Sequence, residues 1–397
     1  MIYKEFRDSG IKLSTLGMGG MRFPTIEKDS KIDETASMKL IERCMQGGIN
    51  YYDTAYFYHG GNSERFYAKA LRQFPRDSWY LADKMPGNMM TYADGKLRLE
   101  VSGFGMESKT LAGPADVFEE QLELCGVDYF DFYLLHNVSE TTFDLYTNDK
   151  LGFTEYLLAQ KKAGRIKHLG FSTHGRPETI EAFLQYLDAR NMGDAMEFCM
   201  MQINYLDWVL QEAGKKYEIC ENRGIPVFVM EGMRGGKLAD LPTKAADMLK
   251  AARPHATQAE WAWRHLQTLP NIDVVISGMT TMEQLEENLA LFSNREPITP
   301  QEMKLLDNVV EALSVGVPCT ACRYCTAACP VNLDIPVLLT LYNEASFDVM
   351  WTVNSSLGVL GKDKGPAACI NCGQCNPLCP QNIDIPKALT HFKEILA

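Results

Sequence analysis

Two cysteine runs constrain the carboxyl-terminal part of this chain more than any other feature of its sequence. Cys319, Cys322, Cys325 and Cys329 follow a C-x2-C-x2-C-x3-C-P spacing, and Cys369, Cys372, Cys375 and Cys379 repeat it fifty residues later. Their surroundings repeat as well: CPVNLDIPVLLT at 329–340 returns as CPQNIDIPKALT at 379–390. The tail is a duplicated module. The amino terminus, MIYKEFRDSGIK, is charged and lacks the apolar core of a secretory signal. In an untargeted chain, such a concentration of the 12 cysteines reads as metal ligation rather than disulfides. Zinc ligands usually come as two separated C-x2-C pairs, whereas here a tight triplet is followed by C-P, twice.

The two runs resemble the bacterial dicluster ferredoxin pattern, in which the fourth cysteine of each run ligates the other cluster. Three closely spaced thiolates can wrap three corners of a four-iron, four-sulfur cube while the fourth reaches across. The resemblance implies Cys319, Cys322, Cys325 and Cys379 around one [4Fe-4S] cluster, and Cys369, Cys372, Cys375 and Cys329 around the other. A pair of four-cysteine zinc sites is the alternative. The 39 residues between the runs, with a helix predicted at Pro336–Phe347, exceed what a compact bacterial ferredoxin holds. They look more like the α-helical ferredoxin modules fused to redox enzymes. Cys44, Cys125, Cys199 and Cys220 lie scattered in apolar contexts and read as buried structural thiols.

Residues 1–292 alternate short apolar runs with amphipathic stretches. The strand-like runs are Leu13–Met21, Asn50–Ala55, Trp79–Met85, Tyr129–His136, Ile166–Thr173, Phe198–Tyr205, Ile225–Glu231 and Asp273–Met279. Helical periodicity appears between them at Ala36–Gln46, Val117–Leu124, Pro177–Ala189 and Met282–Phe292. This α/β alternation predicts a closed (β/α)8 TIM barrel, with a doubly wound open sheet as runner-up. Thr299–Leu313 reads as a capped helix with Pro300 in its first turn, followed by a Gly/Pro-containing joint. The expected domains are therefore a barrel over 1–313 and a small, mainly α-helical ferredoxin-like iron–sulfur domain over 314–397. Residues 86–114 read as a long loop without regular structure, either a lid over the active-site face or a mobile insertion.

Hydrophobic residues make up 46% of the 397 and charged residues 23%, which excludes disorder as the main theme. The net charge of −12, with no basic run, suits a phosphate backbone poorly, so no nucleic acid is expected. No stretch approaches the roughly 20 apolar residues of a membrane span. The expected compartment is the cytoplasm.

In such a barrel, catalytic residues sit at the carboxyl ends of the strands. Asp53-Thr54-Ala55-Tyr56-Phe57-Tyr58 follows the second apolar run, Lys84 ends the third and His136 ends the fourth. A phenol with a free pKa of about 10 is a poor acid near neutrality. A neighbouring ammonium lowers that value, and a carboxylate holds the ammonium in place. An imidazole can orient a carbonyl oxygen or share its proton.

DTAYFY (53–58), ADK (82–84), GVDYFDFYLLH (126–136), GRIKHLGFST (164–173), MQINY (201–205) and EQLEENL (283–289) together resemble the aldo-keto reductase family, in the family's order and over most of the barrel. The resemblance implies Tyr58 as general acid, Lys84 as its pKa partner, Asp53 as the anchor of Lys84 and His136 as substrate orienter. It also implies a nicotinamide dinucleotide across this face. Ser172, Thr173 and Gln202 would hold the carboxamide, with Glu287 and Asn288 at the adenine end. Thr173 stands where asparagine is commonest, and Met230 where many members stack an aromatic ring on the nicotinamide. Glu231 takes a small polar position near the pyrophosphate, where a carboxylate repels phosphate unless Arg234 or Lys237 neutralises it. Gly278–Gln284 contains no Lys or Arg, which argues against strong NADP preference. His59 and His174 adjoin these motifs and could reach the pocket.

The leading expectation is an oxidoreductase that reduces a small carbonyl or oxidises an alcohol with NAD(P)H, fused to a two-cluster electron-transfer module. Nicotinamide moves two electrons as hydride and [4Fe-4S] clusters move one, so coupling them calls for a mediator such as flavin. The alternative is a reductase fed by a ferredoxin-type partner, with little NAD(P)H use. A further alternative is a redox-sensing or partner-binding protein with an idle barrel.

Overall fold

All eight apolar runs become parallel strands of one barrel in the computed structural model of the chain, which describes all residues except 27–30, 314–315, 318, 320–322, 347–349 and 362. The strands are β1 (Leu16–Gly19), β2 (Tyr51–Asp53), β3 (Tyr80–Met85), β4 (Phe130–Leu135), β5 (Ile166–Thr173), β6 (Cys199–Gln202), β7 (Val227–Met230) and β8 (Ile272–Ser277). β8 pairs with β1 and β4 with β5, so the sheet closes and the open alternative is excluded.

Strand alternation sorts the side chains into two populations. Tyr51, Ala82, Phe132, Leu134, Phe198, Met200, Phe228 and Val274 fill the barrel interior, while their sequence neighbours pack outward beneath the helices. A hairpin of Tyr3–Glu5 and Lys12–Ser14 precedes the barrel, and its Phe6 meets Phe132 edge-on at 5.3 Å between ring centroids. Phe6 also lies 6.2 Å from Phe198 and 5.9 Å from Phe228. The amino-terminal end of the barrel is thus closed by aromatic packing, which leaves polar chemistry to the other end.

The helices begin and end where local chemistry dictates. Asp33 accepts from the Thr35 and Ala36 amides at the start of Glu34–Gln46. Thr281 and Gln284 form a capping box ahead of Met282–Leu291. Gly126, at φ 62°, ends Pro114–Cys125 in the left-handed conformation.

Residues 86–114 are not an irregular loop. They contain a three-stranded antiparallel sheet, Met90–Ala93, Lys96–Leu99 and Lys109–Leu111. The turn between its first two strands is Asp94-Gly95, both at positive φ, a hairpin signal flanked by the alternating Leu97 and Leu99, which are buried. Glycine content masked that alternation in the sequence.

The described chain divides into two compact units, one of Met1–Leu238 and Ala259–Ile298, the other of Ala239–Gln258 and Thr299–Ala397. Within the second unit, helices Thr243–Ala252 and Pro300–Leu313 pack together, linked by the Arg253–Glu302 ion pair. The tail beyond them is helical, with Ile335–Ala345 and Ile385–Ile395 starting fifty residues apart. Each is capped by the aspartate of its repeat, Asp334 accepting from Val337 N and Asp384 from Lys387 N. The predicted helix at Pro336–Phe347 is found at Ile335–Ala345, and residue 347 lies outside the described residues. Leu338, Leu339, Ile385, Leu389 and Phe392 form this unit's core. Among the described residues, no helix is long and apolar enough to cross a membrane.

Replacing Phe132 by Ala removes a fully buried ring from the centre of the interior stack and should cost about 3–5 kcal/mol. Urea unfolding followed by tryptophan fluorescence measures this; an unchanged midpoint would contradict the packing described.

Candidate functional site

The same alternation that places Tyr51, Ala82 and Leu134 inside places Asp53, Lys84 and His136 inside, one step further along each strand. Lys84 Nζ donates to Asp53 Oδ1 at 2.6 Å and to the Thr54 carbonyl at 2.6 Å. It lies 5.0 Å from the centroid of the Tyr58 ring. Tyr58 is half-buried and meets His136 edge-on at 6.3 Å, while Phe57 stacks flat on His136 at 5.3 Å. The three strand ends and the turn after β2 therefore bring all four expected residues to one place.

Electrostatics fixes their protonation. Burial acts most strongly on Lys84 and would discharge it, but Asp53 and Tyr58 outweigh burial and raise its pKa overall. Burial also raises Asp53, against the pull of Lys84. For Tyr58, burial again comes first and raises the pKa; Lys84 pulls it down without reversing the direction. The phenol is thus more firmly protonated than a free one, opposite to the net lowering expected from Lys84 alone. His136 falls well below its ordinary value, through burial first and then the charge of Lys84. It is a neutral imidazole, and its Nδ1 has no hydrogen-bond partner among the described residues.

The expected cofactor residues separate into two groups. Ser172 and Gln202 face inward at the ends of β5 and β6. Ser172 Oγ accepts from Asn137 N at 2.8 Å. Gln202 Nε2 donates to Asp207 Oδ2 at 2.7 Å, and His174 hydrogen-bonds to Gln202. Met230 is half-buried at the end of β7. Thr173, by contrast, alternates outward, and its hydroxyl donates to the Val138 carbonyl at 2.7 Å. Arg234 is buried with its guanidinium 3.5 Å from Asp207, and its charge also acts on Glu231. Asn288 accepts from Trp263 Nε1 at 2.7 Å and donates to Ser277 at 3.2 Å, and Glu287 is half-buried beside it.

Sequence reading missed several residues. Tyr146 Oη accepts from Gly87 N and lies 3.0 Å from Met85 O and 2.8 Å from His136 O, clamping the ends of β3 and β4. Asp207 gathers Gln202, Asn204 and Arg234 into one buried network. Behind Lys84, on the outward side of β3, Gln121 Nε2 bridges Glu64 and the Lys84 carbonyl, at 3.1 Å to each. Burial pushes Glu64 well above the carboxylate range and Asp83 up to about 7. Cys44, Cys125, Cys199 and Cys220 are buried, as expected.

In the second unit the cysteines gather around two cavities. One is lined by Cys369, Cys372 and Cys375 together with Cys329, and by Leu333, Ile335 and Leu389. The other is lined by Cys319, Cys325 and Cys379, with Leu339 and Ile383. Cys322 lies outside the described residues. Cys329 thus sits with the triplet of the second run, and Cys379 with Cys319 and Cys325 of the first. A thiol set of this kind in an apolar cavity fits an iron–sulfur cluster, and Leu333 N already points at Cys329 Sγ at 3.4 Å.

An aldo/keto reductase family profile matches residues 15–311, and a 4Fe-4S dicluster domain profile matches residues 318–383. Barrel, site and tail define an oxidoreductase. The chain belongs to the aldo/keto reductase family and carries a 4Fe-4S dicluster domain at its carboxyl-terminal end. It is 24% identical to an NADH-specific methylglyoxal reductase of Escherichia coli over 335 residues, covering 76% of this chain and 96% of that protein. An aldo-keto reductase from Bacillus halodurans, solved in its holo form, shares the fold with a TM-score of 0.58 at 22% identity, over 78% of this chain and 96% of that one. One from Klebsiella pneumoniae, solved in complex with NADPH, has a TM-score of 0.58 at 18% identity, over 78% and 96%.

Two outcomes are expected. Asp53→Asn leaves the buried Lys84 ammonium without its counter-charge and should destabilise the barrel by about 3–5 kcal/mol, read by denaturant unfolding. Cys329→Ser should perturb the cluster signal also perturbed by Cys369→Ser, not the one changed by Cys319→Ser; electron paramagnetic resonance of the reduced protein distinguishes these.

Proposed function

We propose that the barrel reduces a small carbonyl compound, or oxidises the corresponding alcohol, with a nicotinamide cofactor. The observation that carries this reading is the Asp53–Lys84–Tyr58 chain facing a neutral His136 at the ends of β2, β3 and β4. The inward-facing Ser172 and Gln202, the latter oriented by Asp207, suit an amide-bearing ring, and they are the residues that would hold it. When bound, a reduced nicotinamide supplies hydride. Neutral His136 donates a hydrogen bond to the carbonyl oxygen and orients it. Tyr58, kept protonated, delivers its proton as negative charge develops on that oxygen, and Lys84 stabilises the resulting phenolate. Asp53 keeps Lys84 charged and aimed.

Cys319, Cys322, Cys325 and Cys379 would hold one [4Fe-4S] cluster, and Cys369, Cys372, Cys375 and Cys329 the other. Bound clusters supply one-electron carriers. The chain is read as two functional domains, 1–313 and 314–397, in a cytoplasmic enzyme. A second reading draws support from Met230 and Glu231, which replace a stacking ring and a small polar residue: a reductase fed by a ferredoxin-type donor, with flavin as mediator.

Tyr58→Phe should lower kcat for an aldehyde such as methylglyoxal by roughly 10²–10⁴-fold, and undiminished reduction would sink the tetrad reading. Anaerobic addition of NADH or NADPH separates the two electron routes. Aldehyde reduction with unbleached cluster absorbance supports the nicotinamide reading; turnover only with a low-potential one-electron donor supports the second.

A further inference from the structure

Lys84 is flanked by carboxyl groups on both sides of its strand. Alternation along β3 turns Asp83 outward, beneath the helices Asn62–Leu71 and Pro114–Cys125, where it meets Glu64 and Cys125. One oxygen of each carboxyl and the Cys125 sulfur lie within 4.8 Å of one another, and all three side chains are fully buried. The hydrogen bonds around them are unevenly shared. Asp83 collects donors, from Lys84 N to Oδ1 at 2.8 Å and from Cys125 Sγ to Oδ2 at 3.5 Å. Glu64 receives one, from Gln121 Nε2 to Oε1 at 3.1 Å, and its Oε2 has no donor among the described residues. Tyr133 Oη donates to Gln121 Oε1, which fixes the amide so that Nε2 also reaches the Lys84 carbonyl.

A carboxylate only accepts hydrogen bonds, whereas a carboxylic acid brings a donor of its own. The pattern therefore matches an Asp83 carboxylate facing a Glu64 acid, and the two carboxyls are within hydrogen-bonding reach. Charge leads to the same arrangement. The titratable groups acting on the pair are Lys84 on the same strand, Cys125 and Glu120 on Pro114–Cys125, and Tyr133 on β4. Of these Lys84 is the cation, and Asp53 already balances it. Two buried carboxylates at this range would repel each other without a counter-charge, and one proton between them removes the conflict. Burial, then the charge of Asp83, holds the proton on Glu64. The charge of Asp83 in turn acts on Lys84, after those of Asp53 and Tyr58, in keeping it protonated against burial.

We propose that Glu64 and Asp83 share one proton behind Lys84, and that the single negative charge they retain keeps the Lys84 ammonium protonated when Tyr58 gives up its own proton. Both are positioning residues, acting through Lys84 and touching neither substrate nor cofactor. The role rests on the proton step of the nicotinamide reading; the shared proton does not.

Infrared spectroscopy of the full chain reads the carbonyl stretch of a protonated carboxyl without any turnover. Above neutral pH the wild type should show a buried-acid band that Glu64→Gln removes, because an amide then replaces the acid as donor to Asp83. An unchanged spectrum in Glu64→Gln overturns the shared proton. The pH profile of kcat for an aldehyde reads the charge. Asp83→Asn should move its basic limb down by about one pH unit, since Lys84 then loses its proton more readily, with KM little changed. Asp83→Ser, equally uncharged, is read in the same way if the asparagine variant does not fold. Glu64→Gln, the conservative change that keeps both the Asp83 charge and its hydrogen bond, should hold the limb near its wild-type position. A limb that stays in place without the Asp83 carboxylate overturns the positioning role. So does an equal movement in Glu64→Gln, because disturbed packing would then explain both. If the wild type shows the band but reduces no aldehyde, the nicotinamide reading falls and takes the positioning role with it, while the shared proton stands. One equivalent of zinc held by the wild type and lost in Cys125→Ala would make the three side chains metal ligands and overturn the proposal.

Discussion

An ammonium at 1% exposure survives inside a protein only if another charge is buried with it. Lys84 and Asp53 meet that condition across adjacent strands, and much of the site follows from it. The pair requires β2 and β3 to be in register, so that both side chains point inward at the same end of the barrel. It places a positive charge beside Tyr58 and His136, and that charge drives the imidazole towards neutrality while opposing, without overcoming, the effect of burial on the phenol. Burial keeps the phenol protonated and, together with that charge, keeps the imidazole neutral. Removing either member would leave a buried charge uncompensated, which couples the stability of the barrel to the integrity of its chemistry.

The interior of the barrel reads as a gradient along each strand. Aromatic rings at the amino-terminal end exclude water and make the wall stiff, and the next inward positions carry the polar groups. Tyr51 leads to Asp53, Ala82 to Lys84, Leu134 to His136 and Met200 to Gln202, each two residues apart. Period-two alternation alone carries a side chain from core to site, so the site inherits its precision from packing below it.

Much of this was legible in the sequence because the signals were local or strictly periodic. Eight apolar runs located the barrel, and polar residues near the carboxyl ends of three of them located Asp53, Lys84 and His136. The doubled cysteine spacing located the cavities of the tail. What escaped depended on contacts between distant segments or on mixed signals. Arg22, whose carbonyl accepts from Thr280 Oγ1 at 2.8 Å, was invisible as a neighbour of the segment after β8 because nothing near it in sequence belongs there. Asp207, which the Arg234 guanidinium approaches to 3.5 Å, is a residue no motif singled out. The sheet within 86–114 was hidden because five glycines obscured a short alternation, although Asp94-Gly95 marked its turn. The raised pKa of Tyr58 could not be foreseen from its neighbours, since burial, not charge, decides it.

The interleaved cavities of the tail bear on its ancestry. Among the described residues, one cavity takes three cysteines from the second repeat and one from the first, and the other takes Cys319 and Cys325 from the first and Cys379 from the second, so a single repeat cannot close either of them. A chain carrying only one copy would be left with three-walled pockets unless two such chains met face to face and exchanged their last cysteines. Duplication within one polypeptide makes that exchange intramolecular, replacing an encounter that depends on concentration with one set by the length of the intervening segment. The connection between Cys329 and Cys369 is therefore a tether whose span sets that encounter, while its helix Ile335–Ala345 supplies part of the core that walls the cavities.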